Sequence, residues 1–191
     1  MQKIGFLLLC GGKSSRMGTP KALLDWQGEP LVQRVARAGA GFSEKLFSVN
    51  GPIPVPAGFR PVGDVYPGGG PMAGLHAGLS VCESDALVTA PCDTPFYTPA
   101  LARFLAEQYS PEWDAVILQG DDDWVHPLMG VFGKSCLPAF ESCLAQDKLK
   151  LMRTLDELRT RRICLPPEIS QQVFINLNTP EAYQHYQNGQ G

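Results

Sequence analysis

An apolar run from Ile4 to Leu9 empties directly into a loop that ends at Lys21, and this junction constrains the chain more than any other stretch. The run reads as a buried strand. Between Leu9 and Lys21 stand three glycines, two serines and three cations, with no acid. Glycines let backbone N–H groups come close to an anion, and Lys13, Arg16 and Lys21 supply charge that backbone dipoles alone would not. The pattern predicts a cradle for a nucleoside triphosphate, against the plainer alternative of a surface loop that is merely basic.

Two better-known phosphate loops do not fit. A Walker A loop needs G-x-x-x-x-G-K-[ST], but Gly12 and Gly18 are too far apart, and Thr19-Pro20 separate Gly18 from Lys21. The dinucleotide fingerprint fails because Gly11 and Gly12 are adjacent and no third glycine follows at the required offset.

The rest of the chain alternates strands and helices. A helix is expected from Glu29-Pro30 to about Ala40, then a strand over Lys45 to Asn50, a Pro-rich passage, and a short strand from Arg60 to Asp64. A second glycine loop, Tyr66 to Leu75, starts a helix at Pro71 that extends to about Cys82. Asp85 to Ala90 is the clearest central strand and delivers Pro-Cys-Asp-Thr-Pro (91–95) at its carboxyl end, where open α/β sheets bind ligands. Two prolines bracket Asp93, which suits a metal-binding carboxylate; a turn or cap role is the alternative.

Thr98-Pro99 caps a helix to about Tyr109, and the strands Asp114 to Gln119 and Trp124 to Phe132 flank Gly120-Asp-Asp-Asp123. Those three acids read as a hairpin turn, because neighbouring side chains do not converge on one ion. Amphipathic helices are expected over Lys134 to Ala145 and Lys148 to Arg162, then a last strand over Val173 to Asn178 and a helix beginning at Thr179-Pro180. The fold class is therefore α/β: a three-layer, Rossmann-like, mostly parallel sheet with one antiparallel strand. With 191 residues, one domain spanning 1–191 is expected.

A net charge of −3 argues against bulk nucleic-acid binding. The leading apolar run is too short to span a bilayer, so a cytoplasmic protein without membrane contact is expected. Six cysteines without C-x-x-C spacing fit free thiols in a reducing compartment.

The Leu-x-Gly-Gly-x-Ser-x-Arg-Met-Gly-x-x-Lys pattern of Leu9 to Lys21 resembles nucleotidyltransferases that activate small metabolites, and within them the molybdenum cofactor guanylyltransferases. Cys92-Asp-Thr-Pro-Phe96, His126-Pro-Leu-Met-Gly-Val-Phe132 and Asn176-Leu-Asn-Thr-Pro-Glu181 carry the same resemblance, so that it spans nearly the whole chain. It implies transfer of GMP from GTP to the terminal phosphate of molybdopterin with release of pyrophosphate. The N-terminal part would bind GTP and the C-terminal part molybdopterin.

Carried over residue by residue, the resemblance implies Arg16, Lys21 and Asp93 in catalysis. It places nucleotide contacts at Leu9, Cys10, Gly11, Gly12, Lys13, Lys21, Asn50, Asp64, Gly70, Gly74 and Asp93. Asp93 would bind Mg²⁺, and His126, Asn176 and Asn178 would meet the pterin. A monomer is expected, in transient contact with cofactor-insertion chaperones or molybdoenzymes. Cys10 departs from the family, which has alanine there: either a small residue fits a tight turn, or the cations make a thiol reactive. A cytidylyl- or sugar-phosphate nucleotidyltransferase, and a silent pterin-binding chaperone, are the competing readings.

Overall fold

The computed structural model of the protein describes residues 2–11, 20–177 and 179–187. In chain order the strands and helices are β1 (Ile4–Cys10), β2 (Asp25–Trp26), β3 (Glu29–Pro30), α1 (Leu31–Ala36), β4 (Lys45–Val49), β5 (Arg60–Val62), α2 (Gly70–Val81) and β6 (Ala86–Pro91). They continue as α3 (Pro99–Gln108), β7 (Ala115–Gln119), β8 (Val125–Gly133), α4 (Leu137–Ala145), α5 (Leu151–Glu157), β9 (Thr160–Ile163) and α6 (Pro180–Gln187).

Seven strands form the main sheet in the order β5-β4-β1-β6-β8-β7-β9. Every pairing is parallel except those of β8, which runs antiparallel to both β6 and β7. Strand β1 shows why the sheet has three layers. Phe6 and Leu8 point into a core shared with α1 and α3, while Leu7 and Leu9 point into another shared with α2, α4 and α5. All four are buried, which explains an apolar run without alternation. Helix α2 is buried along Met72 to Leu79, and its glycines let it lie close on the sheet. A Cβ at Gly78 would stand 2.6 Å from Leu7 Cδ2.

Several expectations need correction. The first helix does not reach Ala40: α1 ends at Ala36 and a 3₁₀ turn covers Arg37–Gly41. Gly39 is pressed on the core, where a Cβ would meet Phe6 Cδ1 at 2.8 Å. Ahead of α1 lies the β2–β3 hairpin, whose Gln27 and Gly28 both have positive φ (55° and 90°) and whose Trp26 is buried.

The expected helix over Lys148 to Arg162 is instead α5 followed by β9, so Arg161 and Arg162 lie on an edge strand. Pairing with the open side of β7 wins there over helix continuation, and Thr160 donates its hydroxyl to the Leu155 carbonyl at 2.7 Å to turn the chain. The expected last strand is also absent. Gln171–Phe174 is a 3₁₀ turn capped by Ser170, Ile175 after it is extended, and none of the described residues 173–177 joins a sheet. Burial decides that path: Val173 and Leu177 are both buried, in separate clusters.

Candidate active site

Strands β1, β4, β5, β6 and β7 all end on one edge of the sheet, and the loops that leave them wall a cleft of about 460 Å³. This is the size and the edge at which α/β proteins hold small ligands. Every expected site residue that falls among the described ones lines it. Gly12, Lys13, Arg16 and Asn178 lie outside the described residues.

At one end of the cleft, beyond β4 and β5, Asn50 and Asp64 form a reciprocal pair. The Asn50 amide donates to Asp64 Oδ2 at 2.5 Å, and the Asp64 backbone N–H donates to Asn50 Oδ1 at 3.1 Å. The other carboxylate oxygen, Asp64 Oδ1, is buried without a hydrogen-bond partner. Burial raises the Asp64 carboxyl above the ordinary carboxylate range, against the opposing bond from Asn50. Gly70 and Gly74 of α2 line the same end. Gly70 has φ 62°, a left-handed conformation that favours glycine. At Gly74 a Cβ would lie 2.6 Å from Ser48 Oγ and 3.2 Å from Leu9 Cδ2. The first glycine is a conformational need, the second a packing need.

The middle of the cleft is built by the ends of β1 and β6. The Cys92 N–H donates to the Leu9 carbonyl at 3.0 Å, which extends the β1–β6 pairing into the loops. Thr94 donates its hydroxyl to the Pro91 carbonyl at 2.6 Å and folds the chain so that Asp93 faces the cleft. Burial raises the Asp93 carboxyl; the Lys21 ammonium, a backbone N–H and the Asn176 side chain pull it back. Cys10 is buried and lines the cleft with Leu9 and Gly11. Its thiol interacts with that of Cys92, and this contact, followed by burial, holds the Cys92 thiol well above its ordinary value. Cys10 and Cys92 thus pack as two small buried neighbours where β1 and β6 end.

The far end is formed by the β7–β8 hairpin and the segment after Ser170. Between Ile117 and Leu118 the partner on β8 jumps from Gly130 to His126, so Pro127, Leu128 and Met129 bow out of the ladder. Pro127 has no N–H to give a ladder, and Thr89 fixes the bow by donating its hydroxyl to the Leu128 carbonyl at 2.8 Å. His126 stacks on Phe174, with centroids 4.0 Å apart and planes at 13°. Burial lowers the His126 imidazole, with Asp122 opposing. Asn176 is brought in because the Leu177 N–H donates to the Asp93 carbonyl at 2.9 Å.

Sequence reasoning missed Ser48, Trp124, Leu128 and Phe174, all of which line the cleft. Nothing local marks Ser48. Trp124 was legible only as the residue after an acidic turn, and Phe174 was hidden by reading its segment as a strand. Asp121 and Asp122 are turn residues as expected: Asp122 Oδ1 accepts the Trp124 N–H, and Asp121 Oδ2 accepts the Gln171 amide.

Comparison with known proteins identifies the family. A family model described as "MobA-like NTP transferase domain" matches residues 6–162. The "Probable molybdenum cofactor guanylyltransferase" of Pelotomaculum thermopropionicum is 32% identical over 187 residues, covering 91% of this chain and 87% of that one. The "Molybdenum cofactor guanylyltransferase" of Vibrio cholerae is 32% identical over 180 residues, covering 92% and 87%. Among solved structures, molybdopterin-guanine dinucleotide biosynthesis protein A from Archaeoglobus fulgidus superposes with a TM-score of 0.82 at 23% identity, covering 96% of this chain and 97% of that one, and so shares its fold. The mostly parallel sheet with its cleft at the carboxyl edge and these relatives place the chain together: it is a nucleotidyltransferase and belongs to the MobA-like NTP transferase family, among the molybdenum cofactor guanylyltransferases.

Proposed function

We propose that the cleft joins GTP to molybdopterin, moving GMP onto the terminal phosphate of the pterin cofactor and releasing pyrophosphate. The observation that carries the reading is the order of groups along the sheet edge. The Asn50–Asp64 pair and α2 stand at one end, Lys21, Asp93 and Asn176 in the middle, and His126 with Phe174 at the other. A base, a chain of phosphates and a second substrate need that order.

Asp64 Oδ1 is a buried acceptor that lacks a donor, and the N–H groups of a guanine edge would supply one. Gly70 leaves room for the base and ribose beside it, and Gly74 lets α2 sit close against Ser48 and Leu9 so that the helix borders the same end. Lys21, with the backbone donors of Leu9, Cys10, Gly11, Gly12 and Lys13 and the charge of Arg16, would brace the triphosphate. The attacking oxygen belongs to a phosphate that is already anionic, so no strong general base is required. The residues act by holding attacking oxygen and α-phosphorus in line, and by neutralising charge.

Asp93 fits a divalent ion of the magnesium type. It is a half-buried carboxylate facing the phosphate end of the cleft, and among the described residues no three His, Cys, Asp or Glu side chains gather as they would for zinc. Mg²⁺ takes one or two carboxylates and completes its shell with water and substrate phosphates. When bound there, it would draw charge from the triphosphate as the pyrophosphate departs.

The N-terminal part of a single 1–191 domain would hold GTP, and the C-terminal part, through His126, Asn176 and Asn178, molybdopterin. Among the described residues no helix is long and apolar enough to cross a membrane. A cytoplasmic monomer that hands its product to insertion chaperones or molybdoenzymes is consistent with that.

The test is pyrophosphate release with each of the four NTPs, molybdopterin and Mg²⁺. GTP should be the preferred donor, and Lys21→Ala and Asp93→Ala should each lower turnover by about two to four powers of ten, the scale for removing one electrostatic stabiliser. Near-normal turnover by both variants, or equal use of CTP, would overturn the reading.

A further inference from the structure

The β7–β8 turn is one of the most firmly tied loops on the cleft edge, yet it offers its largest side chain to solvent. The Gly120 N–H donates to the Trp124 carbonyl at 2.8 Å, and the Trp124 N–H donates to Asp122 Oδ1 at 3.1 Å. Gln119 donates to Asp123 Oδ1 at 2.8 Å, and Gln171 ties the turn to the Phe174 segment through Asp121 at 3.0 Å. The backbone of Trp124 is therefore held at both its N–H and its C=O. Its side chain nonetheless leaves the residue 68% exposed, the highest value for a large apolar residue among the described ones. A fixed backbone that presents an open indole is preorganised to bind rather than to pack.

Trp124, His126 and Phe174 each line both the main cleft and a shallower one of about 430 Å³ beside it. They form the wall at the junction. His126 and Phe174 already cover one another face to face. Among the described residues the indole stacks on no other aromatic ring, and most of Trp124 meets solvent.

Distance along the sheet decides which substrate could use them. With strands about 4.8 Å apart, the β7–β8 turn stands about 14–19 Å from the end of β4, where Asn50 begins. A base held at Asn50 and Asp64, with its phosphates at Lys21 and Asp93, lies on the other side of the reacting atoms from Trp124. What the indole can reach is a planar group on the second substrate, whose phosphate end is at Asp93.

We infer that Trp124 is the stacking platform for the bicyclic pterin ring of the second substrate, which lies between the indole and the His126–Phe174 wall. The inference rests on the guanylyl-transfer reading for the identity of that substrate. The chemistry recognised is the flat aminopyrimidinone ring of the pterin, and the indole contributes no charge and no proton transfer.

The test uses the full chain, Trp124→Ala and Trp124→Phe, with molybdopterin titrated by calorimetry in the absence of GTP and steady-state pyrophosphate release in its presence. Stacking on an aromatic side chain implies that Trp124→Ala weakens molybdopterin binding and raises its KM by about 5- to 100-fold. The KM for GTP should stay within about twofold, and Trp124→Phe should recover most of the loss, because a ring is still present. Unchanged molybdopterin binding by Trp124→Ala would overturn the platform, as would a rise in the KM for GTP instead. A wild-type protein that binds molybdopterin through Trp124 but releases no pyrophosphate would remove the guanylyl-transfer reading and leave the platform standing. A wild-type protein that binds no molybdopterin would remove both.

Discussion

Asp114 offers a prediction whose size follows from the structure. It stands just before β7, at the end of the sheet opposite the cleft, and joins three strands. Its carboxylate accepts from Arg159 Nη2 at 2.6 Å, from Arg159 Nε at 3.1 Å and from the Arg159 backbone N–H at 3.0 Å, while its own carbonyl accepts the Gly133 N–H at 2.9 Å. The hydrogen bonds from Arg159 lower the carboxyl to about 2 from an ordinary 3.8, against burial. At 1.36 kcal/mol for each tenfold change in ionisation, this corresponds to about 2.4 kcal/mol of stability. Because the Arg159 side chain is 59% exposed, solvent screening reduces the contribution to about 1–2 kcal/mol. A lowered carboxyl stabilises the fold above the unfolded value and loses that contribution as pH falls through the folded one. Asp114→Asn should therefore lower stability to urea by about 1–2 kcal/mol near neutrality, or Tm by about 3–6 °C. The gap to wild type should close between about pH 4 and pH 2. Turnover at 25 °C should not change, since the residue is remote from the cleft. A gap that stays constant down to pH 2, or none at neutrality, would refute the reasoning.

Two further variants test the two ends of the cleft. Asp64→Asn removes a half-buried carboxylate whose raised carboxyl is destabilising when ionised; the cost is absent in acid and appears as pH rises through the folded value. This variant should melt higher than wild type at neutral pH and equally in acid, while binding GTP more weakly; a lower Tm at neutral pH with GTP affinity intact would reject the assignment. Thr89→Val keeps the shape but loses the hydroxyl that holds the Leu128 carbonyl and also lies 3.3 Å from that of Gly130. Denaturant unfolding should show a loss of about 1–2 kcal/mol. Kinetics should show a higher KM for molybdopterin with that for GTP unchanged, and a parallel rise in both would show that the bow at 127–129 does not act locally.

The sequence was most readable where local chemistry and tertiary structure ask for the same residues. Ile4 to Cys10 could only be a strand buried on both faces, and the loop after it could only be glycine-rich if it must approach an anion. Strand β6 and its acid were legible for the same reason. The antiparallel place of β8 followed from the acidic turn. The second half of the chain was harder, because distant partners decide its conformation. Arg159 to Arg162 carry helix-compatible residues, but Asp114 and the open edge of β7 draw them into β9. Val173 to Leu177 has the apolar pattern of a strand, but both edges of the main sheet lie elsewhere, and the segment docks on Asp93 instead.

That docking bears on how the two halves of the cleft act together. The Asn176 side chain draws the Asp93 carboxyl down, and the next residue, Leu177, donates its N–H to the Asp93 carbonyl at 2.9 Å. Asp93, in the middle of the cleft, is thus positioned by the segment that carries Phe174, which in turn stacks on His126 at the far end. On the reading proposed above, a ligand at the far end would stiffen the segment that orients Asp93, and an ion at Asp93 would compete with Asn176 for the same carboxylate. Either way the middle of the cleft responds to occupation of the end that lies away from GTP. Motif spacing shows only that an acid follows β6; the link between that acid and the C-terminal segment is a tertiary contact across more than eighty residues, for which no local pattern exists.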